Sequence, residues 1–237
     1  MGVSNTVRQT TRKNLGTVTA AEDIGDGLRH FTFSPREQRL SWQPGQGIGV
    51  IVDPDGRSLK DRWRHYTIAG RTDDGSFRML LSKHGGGGPG VEWVLGLEPG
   101  DSFVFMGPGG GPKLDPAHDH YLLAGDRTSV ASITAMADAL PAEAKLDVVI
   151  ATPDPTTATL PTTRPDTAVT WVAAESADEI EQGLLTAVDD LPIPTGRAYI
   201  TGELATVKAI RKRLTERGLS GRQIGTHAHW APGKRGL

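Results

Sequence analysis

Arg64, His65, Tyr66 and Thr67 lie at the head of an apolar run, Tyr66 to Ala69, just behind a basic stretch. On successive strand positions a guanidinium, a phenol and a hydroxyl offer what a flavin dinucleotide requires: charge for its phosphates, a ring to pack on, and a hydrogen bond near the reactive nitrogen. A second group follows in the run HGGGGPGV from His84 to Val91. Its glycines let backbone amides come close to an anion, and Pro89 suits the first turn of a helix continuing through Trp93 to Leu95. His84, Gly88, Pro89, Gly90 and Val91 are therefore candidate cradle residues, with His84 fixing the loop or neighbouring a phosphate. Each group also has an ordinary explanation, an amphipathic barrel strand for the first and a glycine turn for the second.

A third group, Gly125-Asp126-Arg127-Thr128-Ser129, sits where an apolar strand gives way to a helix. At the carboxyl edge of a parallel sheet, Thr128 and Ser129 could meet a nucleotide phosphate or ribose; Asp126, Thr128 or Ser129 could equally cap the helix. His227 and His229 would share one side of a strand. A metal needs more ligands than these two, so no metal site is expected.

Two sequence rhythms must position these groups. The first half carries strand-like runs at Leu15 to Ala21, Leu28 to Phe33, Gly47 to Val52, Tyr66 to Ala69, Phe77 to Ser82 and Phe103 to Met106, separated by Gly, Pro and Asp turns. These predict a six-stranded antiparallel β-barrel. Gly107 to His118, rich in Gly and Pro, has too little apolar surface to pack and reads as the connection, placing the domains at 1–112 and 113–237. Beyond it, strands at Tyr121 to Ala124, Leu146 to Ala151, Val169 to Ala173, Ala198 to Ile200 and Gln223 to Trp230 are interleaved with helical patterns. Val130, Ile133, Ala137 and Leu140 form one helix face; Ile180, Leu184, Leu185 and Val188 form the next, behind Ser176 and Glu179 at capping-box spacing. Val207, Ile210 and Leu214 form the last. Such alternation implies an α/β Rossmann-like parallel sheet with right-handed crossovers and helices on both faces.

Composition narrows the function classes. The 237 residues carry 26 Lys+Arg against 28 Asp+Glu, a net charge of -2 that offers no whole-molecule attraction to nucleic acid or an anionic membrane. No run is apolar and long enough for membrane insertion. With no cysteine, ordinary cysteine-ligated iron–sulfur clusters are excluded, and electron transfer would need an organic cofactor. A cytoplasmic monomer is expected.

The order of these motifs resembles the siderophore-interacting, ferric-siderophore reductase family of ferredoxin-reductase-like flavoproteins, over nearly the whole chain. Arg64-x-Tyr66-Thr67 is similar to that family's flavin motif, and His84-Gly85-x-x-Gly88-Pro89-x-x-x-Trp93 to its pyrophosphate loop. Ala124-Gly125-Asp126-x-Thr128 resembles the turn of the pyridine-nucleotide domain, Thr201-Gly202-Glu203 a small-Gly-Glu turn, and Trp230-x-x-Gly233 the C-terminal segment. The chain departs from the pattern at Arg127, where Glu is usual, and at His229 and Ala231, where Tyr and Arg are usual. These departures bear on nicotinamide use.

The resemblance implies FAD, held by Arg64, His65, Tyr66, Thr67 and the glycine loop, with Thr67 near flavin N5. It implies NADPH or NADH near Asp126, Thr128, Ser129, Glu203 and Trp230, and a ferric siderophore as the acceptor whose iron is released as Fe(II). Lys60, Arg62, Lys234 and Arg235 would attract an anionic ferric chelate, or else be a solvated basic surface. Two alternatives are a related NAD(P)H flavin oxidoreductase with another acceptor and a flavin-bearing siderophore-binding protein with little turnover.

Overall fold

A computed structural model of the chain describes residues 13–25, 27–37, 40–58, 62–83, 87–192 and 195–234. Lys60, His84 and Arg235 lie outside the described residues.

Strands β1 (Lys13–Ile24), β2 (Leu28–Pro35), β3 (Gly47–Ile51), β4 (Trp63–Arg71), β5 (Phe77–Ser82) and β6 (Ser102–Gly109) close into an antiparallel barrel in the order β1-β2-β5-β4-β3-β6. Alternation puts Phe31 and Phe33 of β2 inside, and the Phe33 ring lies 5.1 Å from Phe103, 5.3 Å from Phe105 and 5.5 Å from Phe77. The short helix α1 (Pro89–Leu95) packs Trp93 edge-on against Phe31 and Phe103.

The second half contains β7 (His120–Asp126), α2 (Val130–Ala139), β8 (Lys145–Thr152), β9 (Val169–Ala173), α3 (Ala177–Asp189), β10 (Arg197–Glu203), α4 (Leu204–Glu216) and β11 (Ile224–Trp230). The sheet is parallel in the order β11-β10-β7-β8-β9. Tyr121 and Leu123 of β7 join a core with α2, while Leu122 and Ala124 join a core with α3 and α4, so helices cover both faces as expected. The predicted capping box at Ser176 and Glu179 is formed.

Two expectations change. α2 is not an amphipathic helix with one buried face. It is buried from Val130 to Ala137, because Leu28, Ala69 and Leu80 on the outside of the barrel pack against it while the sheet covers its other side. The connection also differs: Gly107 to Gly109 belong to β6, and the segment after it is held by hydrogen bonds and by Leu114, which packs against the core around α2. Tyr199 Oη accepts from Asp115 N at 2.8 Å and donates to Lys113 O, while Tyr121 Oη accepts from His118 N and donates to Asp115 O, both at 2.9 Å.

Candidate functional site

β4 runs beside β3 with Tyr66 opposite Ile48 and Thr67 opposite Gly47. A Cβ at Gly47 would come within 2.3 Å of the Tyr66 carbonyl oxygen, so glycine is what lets the strands cross closely here. Alternation sends Arg64 and Tyr66 to one side of β4 and His65 and Thr67 to the other.

On the first side, the Tyr66 ring stacks on Trp93 at 5.5 Å and 14°, and its phenol donates to Gly90 O at 3.1 Å. A Cβ at Gly90 would lie 3.0 Å from Tyr66 Oη and 3.3 Å from Arg64 Cγ, so Arg64, Tyr66 and the start of α1 form one cradle. Arg64 Nη1 donates to Trp63 O at 2.7 Å. Burial pushes the Tyr66 phenol well above its usual range, against the Arg64 charge, which keeps it a neutral donor. Gly87 and Gly88 adopt φ of 104° and 117°, and nothing lies within 4 Å of where their Cβ atoms would be, so the loop backbone can be approached. A cation, a ring and an approachable glycine backbone fit the phosphate and aromatic parts of FAD. Pro89 and Val91 flank Gly90 within α1.

On the sheet side, Asp126 ends β7 and is 3% exposed. Its Oδ1 accepts from Thr128 N at 2.8 Å and Thr128 Oγ1 at 2.5 Å; its Oδ2 accepts from Glu203 N at 2.7 Å and Trp230 Nε1 at 2.8 Å. Glu203 is also buried, and its carboxylate accepts from Thr206 N at 2.7 Å to cap α4. His229 Nδ1 lies 3.1 Å from the Thr128 carbonyl oxygen; since that oxygen can only accept, Nδ1 carries the proton. Ser129 is fully buried, its Oγ 2.3 Å from where a Gly125 Cβ would stand. The structure thus brings Asp126, Thr128, Glu203 and Trp230 into one internal network at the carboxyl edge of β7 and β10, with Ser129 packed beneath. These two strands flank the point where the strand order reverses, the crevice in which doubly wound sheets bind ligands.

Between the halves, His65 interacts with His227, whose ring lies 5.4 Å from that of His229. Burial lowers the proton affinity of both His65 and His227, and for His65 the His227 charge adds to the effect. Arg127 reaches the barrel's first hairpin, its Nη1 3.3 Å from a Cβ built on Gly27. Arg62 and Lys234 are exposed, with Arg62 Nε donating to Gly56 O at 2.6 Å. Among the described residues no group of three or more His, Cys, Asp or Glu could hold a metal ion.

The siderophore-interacting protein family matches residues 118–233, nearly all of the parallel-sheet half. Ferric vibriobactin reductase ViuB of Vibrio cholerae is 28% identical over 240 residues, a span covering 94% of this chain and 86% of ViuB. The chain is thus similar to siderophore-interacting proteins through its parallel-sheet half and to ViuB along most of its length. The siderophore-interacting protein SipS from Aeromonas hydrophila has a TM-score of 0.77 at 25% identity, over 94% of this chain and 93% of SipS. A siderophore utilization protein from T. fusca shares the fold at a TM-score of 0.79 and 22% identity, over 95% of both chains. Barrel followed by parallel sheet is therefore the architecture of this chain and of its structural neighbours alike.

Sequence reasoning placed His227 and His229 on one side of a strand but missed that the His227 charge acts on His65, because alternation orders side chains within one strand and says nothing of groups on strands of different sheets. It also missed that Asp126 joins three strand ends; the indole N–H of Trp230 gave no sign of its acceptor.

Proposed function

We propose that this chain is a siderophore-interacting protein and an FAD-dependent oxidoreductase that reduces ferric siderophores with electrons from NADH or NADPH. The observation that carries this reading is the convergence of Arg64 and Tyr66 on Gly90 beside the barrel, in a chain aligned along most of its length with a protein named as a ferric vibriobactin reductase.

Arg64 and the backbone from Gly88 to Val91 would hold the pyrophosphate, Tyr66 would pack beside the flavin or its ribityl chain, and Thr67 would direct its hydroxyl or amide toward the reactive edge. When bound, FAD would supply the conversion between two-electron and one-electron chemistry. No side chain of the chain is then needed as acid, base or nucleophile. Lys60, Arg62, Lys234 and Arg235 would draw an anionic ferric chelate by charge. Reduction lowers the charge on a hard ion held by hard oxygen donors, so Fe(II) is held less tightly and is released. On the sheet side, Asp126 would act by fixing Thr128 and Trp230, the two half-buried groups left for nicotinamide contact, while Glu203 caps α4 behind them.

That same network favours a second reading. Because Asp126, Ser129 and Glu203 are turned inward, the crevice offers few polar groups to a nucleotide, as in a flavin-bearing siderophore carrier with little turnover. Anaerobic visible spectra decide between the two. Flavin bands that bleach with NADH or NADPH, then return as Fe(II) forms on adding a ferric siderophore, support the reductase. Flavin that stays oxidised with both nicotinamides supports the carrier, and a protein that takes up no flavin sinks both.

A further inference from the structure

Asp138 sits in the last turn of α2, the end at which a helix's own dipole disfavours negative charge. Its contacts lie on other elements. Oδ2 accepts from Arg78 Nη2 of β5 at 3.1 Å, while Oδ1 accepts from Thr162 Oγ1 at 2.5 Å and Thr163 N at 2.6 Å in the loop before β9. One carboxylate, placed against its own helix's preference, thus joins the barrel to the sheet half.

The barrel is shaped to deliver Arg78 there. The pairing of β4 with β5 slips between Ile68 and Gly70, leaving Ala69 as an extra residue in β4. Ile68 points into the barrel, and plain alternation would turn Gly70 inward as well; the bulge turns Ala69 and Gly70 outward together. Ala69 packs beneath α2. A Cβ at Gly70 would lie 2.5 Å from Arg78 Nη2 and 2.8 Å from Nε, so the guanidinium crosses β4 at a place where only glycine leaves it room. Beside the pair, a cavity of about 470 Å³ opens between Trp42 and Gly70 of the barrel half and Ala135 and Ala139 of α2. Apolar packing therefore does not close this end of the seam, and the ion pair spans it with side chains only 26% and 16% exposed.

We propose that Arg78 and Asp138 are a positioning pair that fixes α2 against the barrel and thereby sets how a nicotinamide bound at the sheet edge faces a flavin bound at the barrel. The proposal rests on the function proposed above and adds what holds its two halves in register. α2 is about 15 Å long. Its first end follows Thr128, the group offered to nicotinamide, and its last turn carries Asp138. β4 carries Thr67, the group offered to the flavin edge, two residues before Ala69. In the reaction a C–H bond of the reduced nicotinamide breaks and its hydrogen leaves with both bonding electrons for flavin N5, so the nicotinamide is oxidised and the flavin reduced. A misplacement of about 1 Å between reacting atoms costs about a hundredfold in rate, so a pair that touches neither cofactor can still govern the step.

The test begins with a distance. The chain has no cysteine, so Val104→Cys on β6 and Gln182→Cys on α3, both exposed, can carry the only two spin labels. Electron–electron resonance on the FAD-loaded protein should give one narrow distance between the halves, and Arg78→Met and Asp138→Asn should each broaden or shift it. Anaerobic mixing of the unlabelled variants with NADH or NADPH should show the limiting rate of flavin bleaching reduced about fivefold or more, with nicotinamide affinity and bleaching by dithionite unchanged. Arg78→Lys, which keeps the charge without the fork, should recover part of both effects. Identical distance distributions in wild type and both variants would overturn the positioning role, as would altered distributions with an unchanged limiting rate. An equal loss in dithionite bleaching would place the effect on the flavin itself and overturn it too. A wild-type flavin that neither nicotinamide bleaches would count against the proposed function, and the positioning role would fall with it whatever the distances.

Discussion

Asp126 Oδ2 accepts the indole N–H of Trp230 at 2.8 Å and the backbone N–H of Glu203 at 2.7 Å, so a single buried carboxylate oxygen ties the carboxyl ends of β7, β10 and β11 together. Its partner oxygen holds Thr128, which in turn meets His229. The end of the last strand is therefore positioned by charge-assisted hydrogen bonds more than by apolar burial, and several consequences can be measured.

Asp126→Asn preserves the shape but replaces one acceptor with a donor amide facing N–H groups. One of those groups loses its partner, which should cost roughly 1–3 kcal/mol in urea unfolding. Tryptophan emission should shift to the red as Trp230 loosens. An unchanged unfolding midpoint would show that the network does not carry the strand end.

Gly202 has φ of 118°, and a Cβ there would stand 2.5 Å from Asp126 Oδ2; Gly218 has φ of 108° with nothing within 4 Å. Gly218→Ala should cost only backbone strain, roughly 1–2 kcal/mol. Gly202→Ala should cost clearly more, because the carboxylate must also move. Equal thermal destabilisation of the two variants would contradict the close approach.

Arg64→Ala should weaken FAD retention by about tenfold or more while leaving the protein folded, since a charge-assisted phosphate contact is lost. Tyr66→Phe keeps the ring on Trp93 and removes only the bond to Gly90 O, so its effect on stability should be about 1 kcal/mol. Flavin fluorescence on dilution, with melting curves alongside, separates the two effects. Retention unchanged in Arg64→Ala would remove the phosphate-clamp role.

The histidine pair also predicts an acid limb of stability. His65 and His227 are harder to protonate in the folded chain than their ordinary value of 6.5. Below that pH the unfolded state binds more protons than the native state, so stability falls as pH falls through the interval down to the lowered values. Urea unfolding over a pH series should show a shallower acid loss in His65→Gln and His227→Gln than in the wild type. A steeper loss in the variants would reverse the sign and defeat the argument.

Arg164 closes the end of α2 from the long loop before β9: Nη1 donates to Leu140 O at 3.2 Å and Pro141 O at 2.6 Å, and Nη2 to Ala142 O at 3.1 Å and Ala144 O at 2.5 Å. Arg164→Ala should cost roughly 2 kcal/mol by leaving the carbonyls of the turn between α2 and β8 to compete for water. Lysine should rescue it only in part, because an ammonium lacks the guanidinium's fork. Full rescue by lysine in thermal unfolding would reduce the contact to one of charge alone.

Much of the architecture was legible in the chain because period and punctuation are local. Alternation at Leu28 to Phe33 and Phe77 to Ser82, the helical spacing of Ile180, Leu184 and Val188, and the Ser176 and Glu179 box each specify an element through neighbours a few residues away. The cradle was legible for the same reason, since Arg64 and Tyr66 must share a side of their strand. The all-round burial of α2 was not, because its second face is covered by Leu28, Ala69 and Leu80, far away in sequence. Nor was the hold on the segment after Gly109, where tyrosine hydroxyls from the sheet and the packing of Leu114 fasten a stretch whose Gly and Pro content suggested a loose connection.

The sequence by itself determined the barrel and parallel sheet, their order, and the residue types offered for phosphate, ring and nucleotide, since each follows from spacing along a strand or helix. Only the tertiary structure decided which of those residues face outward. Asp126 and Glu203 turn inward because the crossovers bring strand ends 77 residues apart to within hydrogen-bond distance. The His227 charge acts on His65 because the two halves fold against each other across α2, which packs on the sheet and on the barrel.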